Sequence, residues 1–187
     1  PDGLVTGVQT CALPILSKLP KDFPVPVIVA QHMPVGFTTP LAARLDSLCQ
    51  IRVKQAEQGE ILRAGTAYIG ESGKQFQVKK DRNELVAVIS TDTPIATLYK
   101  PSVDIMFMSL AKEVNAGVLA VVMTGMGKDG LKGIKELKPH GAYTIVESES
   151  TCIVYGMPRA IVEAGLADRI EQLPDIARVI IECLNRR

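Results

Sequence analysis

Two side chains in this sequence are placed for proton chemistry, His32 and Asp129, and each closes a run of strand type. Val25-Pro-Val-Ile-Val-Ala30 leads into Gln31-His-Met-Pro34, and Val118-Leu-Ala-Val-Val-Met-Thr124 opens into Gly125-Met-Gly-Lys-Asp-Gly130. Unbroken β-branched and small apolar residues suit strands buried on both faces, and Pro34 stops the first of them. Ligands of open α/β sheets bind outside the C-terminal strand ends. An imidazole that acts as base and then acid needs a carboxylate to fix its tautomer and to stabilise the imidazolium. Asp129 beside His32 would supply it, while N–H groups of the glycine loop could receive a developing oxyanion. Spacing in the chain leaves that contact open.

The glycine loop has a second reading. Gly125 to Gly130 fits G-x-G-x-x-G between a strand and a helix, and Glu147 ends the following strand, where an acidic residue could meet an adenosine ribose. A Rossmann-like dinucleotide site is therefore an alternative. Against it, Asp129 would put a carboxylate where pyrophosphate must sit, and little chain remains for the second half of such a domain. A plain glycine turn with a solvated Asp129 is the third reading.

The elements that must hold these residues read as alternating strands and helices, which argues for a parallel sheet covered on both sides. Phe37 to Cys49 reads as an amphipathic helix with Leu41, Leu45 and Leu48 on one face, Thr38 and Thr39 as caps, and Pro40 near its start. Residues 51–54 alternate like a half-exposed strand. Between Glu60 and Ser90, strand candidates at 67–69, 75–78 and 85–89 are separated by turn residues, a hairpin-rich insertion. Ser102 caps a helix with Asp104 in its first turn. A strand at 142–146, a short helix from Gly156 and a last helix with Ile176, Val179, Ile180, Cys183 and Leu184 inside complete the pattern. His140 reads as a turn residue and Cys152 as packing.

Residues 1–15 fit none of this. They show neither alternation nor a helical stripe, Pro14 argues against a helix running into Leu16, and the stretch reads as a non-native or damaged segment. The 187 residues suffice for one substantial core. A net charge of +1 offers no hold for nucleic acid or an anionic membrane, and no apolar run reaches transmembrane length. The four cysteines have no CxxC spacing and there are two histidines, so no metal or other cofactor is expected and reduced thiols fit a cytoplasmic protein.

Taken together, the segments resemble the catalytic domain of the CheB-type chemotaxis protein-glutamate methylesterases. The matching phrases are Gln31-His-Met-Pro-Val-Gly-Phe-Thr38, Ala64-Gly-Thr-Ala-Tyr-Ile69, Lys100-Pro-Ser-Val-Asp104, Met123 to Gly130 and Thr151-Cys-Ile-Val-Tyr-Gly-Met-Pro-Arg159. The resemblance implies a three-layer α/β/α fold with a mainly parallel, doubly wound sheet and a small β-hairpin insertion, over residues 16–187. It implies hydrolysis of glutamyl methyl esters, and glutamine deamidation, on the cytoplasmic helices of methyl-accepting chemotaxis receptors. His32 and Asp129 match the catalytic histidine and aspartate, and the backbone N–H of Met126 matches an oxyanion donor. The family serine lies in a Gly-Ala-Ser-Thr-Gly-Gly turn after the first strand; counted back from Leu19-Pro20, its position falls at Val5, or at Thr6 with one gap. Gly3-Leu-Val-Thr-Gly-Val8 has no serine there, and the first strand is expected to be missing as well. The nucleophile does not carry over, which implies an inactive chain or a non-catalytic receptor-binding relative. A receiver domain, common ahead of this domain in the family, does not occur in these residues. Lys128 and Arg159 are placed to hold acidic receptor segments.

Overall fold

The computed structural model describes the backbone of residues 4–8 and residues 12–185 in full. Nine strands and six α-helices occur among them. In chain order these are β1 (Leu4–Val8), α1 (Ala12–Leu16), β2 (Val27–Ala30), α2 (Thr38–Leu48), β3 (Arg52–Gln55), β4 (Thr66–Ile69), β5 (Gln75–Asp81) and β6 (Glu84–Ser90). There follow α3 (Val103–Glu113), β7 (Val118–Val122), α4 (Leu131–Leu137), β8 (Tyr143–Glu147), α5 (Met157–Glu163), β9 (Arg169–Glu171) and α6 (Leu173–Asn185). Seven strands form one sheet in the order β3-β4-β2-β1-β7-β8-β9, every pairing parallel.

Strict alternation along the central strands feeds two cores. Ile28, Ala30, Val118, Ala120 and Val122 face one cluster with residues of α3, α4 and α5. Val27, Val29, Leu119 and Val121 face the other with residues of α1, α2 and α6. Both faces are covered, so strands written without polar alternation are stable here. The expected three-layer, doubly wound α/β/α architecture is the one found. The β5–β6 hairpin packs Phe76, Val78 and Ala87 into the first core, and α3 blunts its outer edge: Val78 N–H donates to Ser109 Oγ and Lys80 N–H to Glu113 Oε2, both at 2.9 Å.

Several expectations are corrected. The first strand is present: β1 lies at the centre of the sheet, with Val5 opposite Val27 and Leu119. A central position supplies ladder partners on both sides, which overrides a weak local pattern. Pro14 lies within α1, in the first turn, where its missing N–H has no helical partner to lose. Residues 66–69 belong to the main sheet, so the insertion shrinks to the single hairpin. Thr38 and Thr39 do not cap α2; both hydroxyls donate to Gln55 Oε1 on β3. The three-residue edge strand β9 was not foreseen.

Candidate active site

The sheet order reverses at β1. The chain steps from β1 outward to β2 on one side and later returns to β7 on the other, and a crevice at such a point is where α/β folds place their chemistry. β2 ends two residues before His32, and β7 runs through Thr124 into the glycine loop. The two side chains meet: His32 Nε2–H donates to Asp129 Oδ2 at 2.7 Å across 97 residues of chain. The imidazole is 14% exposed and the carboxylate 2%.

Asp129 is held from three further directions. Ser102 Oγ–H donates to Oδ1 at 2.8 Å, Val103 N–H to Oδ2 at 2.8 Å and Asp104 N–H to Oδ1 at 3.0 Å. The carboxylate thus caps the N-terminus of α3, where the helix dipole favours a negative charge. Burial pushes its pKa up, but the bonds from His32, from the Asp104 and Val103 amides and from Ser102 outweigh it and hold the group below its ordinary value. Ser102 is the expected N-cap of α3, and its bond to Asp129 is a second duty that sequence reading missed.

Asp104 returns the favour. Its Oδ1 accepts Gly130 N–H and Gly133 N–H, both at 2.9 Å, at the start of α4. Here burial, with the nearby Asp129 charge, outweighs those amide bonds and raises the pKa. The two helices are cross-capped, each by an aspartate from the other's neighbourhood.

The glycine loop is clamped by the segment after β8. Gly125 O accepts Gly156 N–H at 3.1 Å and Met157 N–H at 2.8 Å, and Gly125 N–H donates to Val154 O at 3.0 Å. A Cβ on Gly156 would lie 2.6 Å from Gly125 O, so only glycine allows this approach. Glu147 is fully buried, and its Oε2 accepts Thr124 N–H at 2.8 Å. It therefore supports the loop from below and offers no carboxylate to a ribose. With Asp129 bonded inside the same loop, the dinucleotide alternative finds no support in the geometry.

Met126 sits in this loop and is 73% exposed. Val5 and Thr6 lie inside β1, opposite Val27 and Ile28, while Val8 at the strand end stands opposite Ala30. Residues 9–11, immediately past that end, lie outside the described residues. Arg159 pairs with Glu163 at the surface, Lys128 is exposed, and Cys152 Sγ–H donates to Glu147 O at 3.8 Å. Tyr99, unforeseen from the sequence, stacks on the His32 ring with centroids 4.1 Å apart and planes 7° from parallel. Among the described residues no group of three His, Cys, Asp or Glu side chains could hold a metal ion, and no helix is long and apolar enough to cross a membrane.

Fold and site together define a doubly wound α/β protein with a hydrogen-bonded histidine–carboxylate pair at its switch point. The chain belongs to the CheB methylesterase family, whose model matches residues 4–180. It is 55% identical over 185 residues to a protein-glutamate methylesterase/protein-glutamine glutaminase of Desulfitobacterium hafniense, covering 99% of this chain and 47% of that protein. A like-named protein of Nitratidesulfovibrio vulgaris is 46% identical over 182 residues, covering 97% and 49%. The crystal structure of the Thermotoga maritima CheB methylesterase catalytic domain superposes with a TM-score of 0.92 at 36% identity, covering 98% of this chain and all of that one. The chain spans about half the length of the curated relatives it matches.

Proposed function

We propose that this domain hydrolyses glutamyl methyl esters, and deamidates glutamines, on the cytoplasmic helices of methyl-accepting chemotaxis receptors, and that the chain as written lacks the nucleophile for it. The observation that carries the reading is the bond from His32 to an Asp129 that four donors hold ionised. With Nε2 given to the carboxylate, proton transfer falls to Nδ1. A serine Oγ attacks the ester carbonyl as Nδ1 takes its proton, and the tetrahedral oxyanion is received by N–H groups including that of Met126. Collapse expels methanol, protonated by His32, and water repeats the sequence on the acyl-enzyme. With a glutamine substrate the leaving group is ammonia.

The first serine in the chain is Ser17. Neither Val5 nor Thr6 replaces the family serine: valine has no nucleophilic atom, and both positions lie short of the C-terminal end of β1. In this reading residues 1–15 are a non-native or damaged segment, and 16–187 form the methylesterase catalytic domain. The length of the relatives fits a second domain, a receiver of a two-component phosphorelay, in the whole protein. A cytoplasmic setting fits receptor helices as substrate. The exposed Val35, Phe37, Leu98, Met126, Ile153 and Val154 on loops at the C-terminal strand ends fit the apolar side of such helices, and Lys128 fits their acidic one.

Methanol release from methylated receptor tests this. The chain as written should release it about 10⁶-fold more slowly than an intact triad, the usual cost of a missing serine. Replacing residues 1–15 by an apolar strand followed by Gly-Ala-Ser-Thr-Gly-Gly should restore it. Full-rate release by the unaltered chain overturns the missing nucleophile; no release by the restored chain overturns the esterase.

A further inference from the structure

The hairpin β5–β6 stands apart from the main sheet, yet its first residue reaches the corner where His32 and Asp129 meet. Gln75 is fully buried, and a buried amide is costly unless both its ends are bonded. Here they are. Gln75 Nε2–H donates to Tyr99 O at 2.9 Å, and Gln75 Oε1 accepts Ser102 N–H at 2.8 Å. Gly73 N–H donates to Lys100 O at 3.0 Å, between those two points. The start of the hairpin therefore grips the backbone of 99–102 at three places.

That segment touches both members of the pair. Tyr99 lies flat on the imidazole, and its hydroxyl lies so near Gly127 of the glycine loop that a Cβ there would come within 3.1 Å of it. Ser102 donates to Asp129. The bond to Asp129 holds the His32 ring at one atom, and the stacked phenol bears on the plane of the ring. We propose that Gln75 is a positioning residue for the His32–Asp129 pair, acting through Tyr99 on the imidazole plane and through Ser102 on the carboxylate. The inference rests on the acyl-transfer reading for its kinetic consequence but not for its geometric one.

The histidine ring resonances of the present chain test the geometry without any activity. His32 and His140 are the two histidines, and a ring stacked at this distance shifts the His32 signals upfield of those of the exposed His140. Tyr99→Phe should keep that shift and Tyr99→Leu abolish it. Gln75→Met, close in volume but unable to bond, should reduce it. In the chain carrying a restored serine, Gln75→Met should lower kcat about ten- to a hundredfold with KM nearly unchanged, the usual cost of a misplaced catalytic group. Gln75→Glu keeps the acceptor for Ser102 N–H; it should fall between, and it replaces Gln75→Met if that variant does not fold. An unchanged His32 shift in folded Gln75→Met, or in Gln75→Glu where that stands in, overturns the proposal. So does an unchanged kcat in an active restored chain. Resonances that move as described in a restored chain without activity leave Gln75 in its role and overturn the esterase instead.

Discussion

Asp129 and Asp104 are the same residue type, both buried, a few ångströms of helix end apart, and they behave in opposite ways. Each caps a neighbouring helix with its carboxylate. Asp104 receives backbone amides alone, those of Gly130 and Gly133 on one oxygen and that of Lys132 beside them, and burial with the Asp129 charge still wins, so its proton is held more tightly than usual. Asp129 receives two amides, a hydroxyl and an imidazole N–H, and its proton is held less tightly. A helix N-terminus is thus not what makes a carboxylate fit to face an imidazolium. The added hydroxyl and imidazole decide it, and they are what tie Asp129 to chemistry and leave Asp104 to architecture.

The sharpest way to break this contrast is by activity. In a chain with its serine restored, His32→Ala should cost about 10⁶ in turnover and loss of the Asp129 carboxylate about 10⁴, while Asp104→Asn leaves turnover close to that of its parent. Equal losses at 104 and 129 in methanol-release assays would erase the distinction. Stability comes next. Asp129→Asn loses an acceptor among converging donors and should cost about 1–3 kcal/mol in urea unfolding. Asp104→Asn keeps the Oδ1 acceptor of the Gly130 and Gly133 amides and sheds a buried charge, so at neutral pH it should be neutral or stabilising. Gly156→Ala, which touches neither carboxylate, should cost about 1–3 kcal/mol through the clash with Gly125 O and lower activity by moving the loop that carries Asp129.

The smallest effect is in pH. Because the folded pKa of Asp129 lies below its ordinary 3.8, its stabilisation is complete above that value and is lost as pH falls through the folded pKa. Asp104, raised from 3.8, has the opposite sign: its contribution is complete below that value and is lost as pH rises through the raised pKa. Urea midpoints against pH should therefore lose part of their acid limb in Asp129→Asn and gain stability above it in Asp104→Asn.

That His32 and Asp129 could meet was legible because each follows a run that suits a buried strand, and parallel strands bring their ends to one edge; the contact itself was left open by the sequence. Ser102 was legible as a cap, but a cap hydroxyl also has a proton to give, and nothing local says to whom. Gln75 and Tyr99 were illegible: one begins a hairpin, the other lies in an irregular segment, and their partners are set by how that hairpin folds back. β1 was misread since Leu4–Val8 has no clear pattern of its own, and the sheet supplies the order it lacks. Glu147 read as a ribose partner because the period of a βαβ unit places an acid there in many proteins; its burial under Thr124 is a tertiary fact.

The central position of β1 has a practical corollary. The groups found bonded to Asp129 come from residue 32 and from residues 102–104, and β1 joins the two strands that lead to His32 and to the glycine loop. Its two ladders are what hold the halves of the sheet, and with them the histidine and the carboxylate, in one register. Libraries that keep the apolar strand and vary only the turn after it, carrying cysteine, threonine or serine, could therefore be screened against the His32–Asp129 pair.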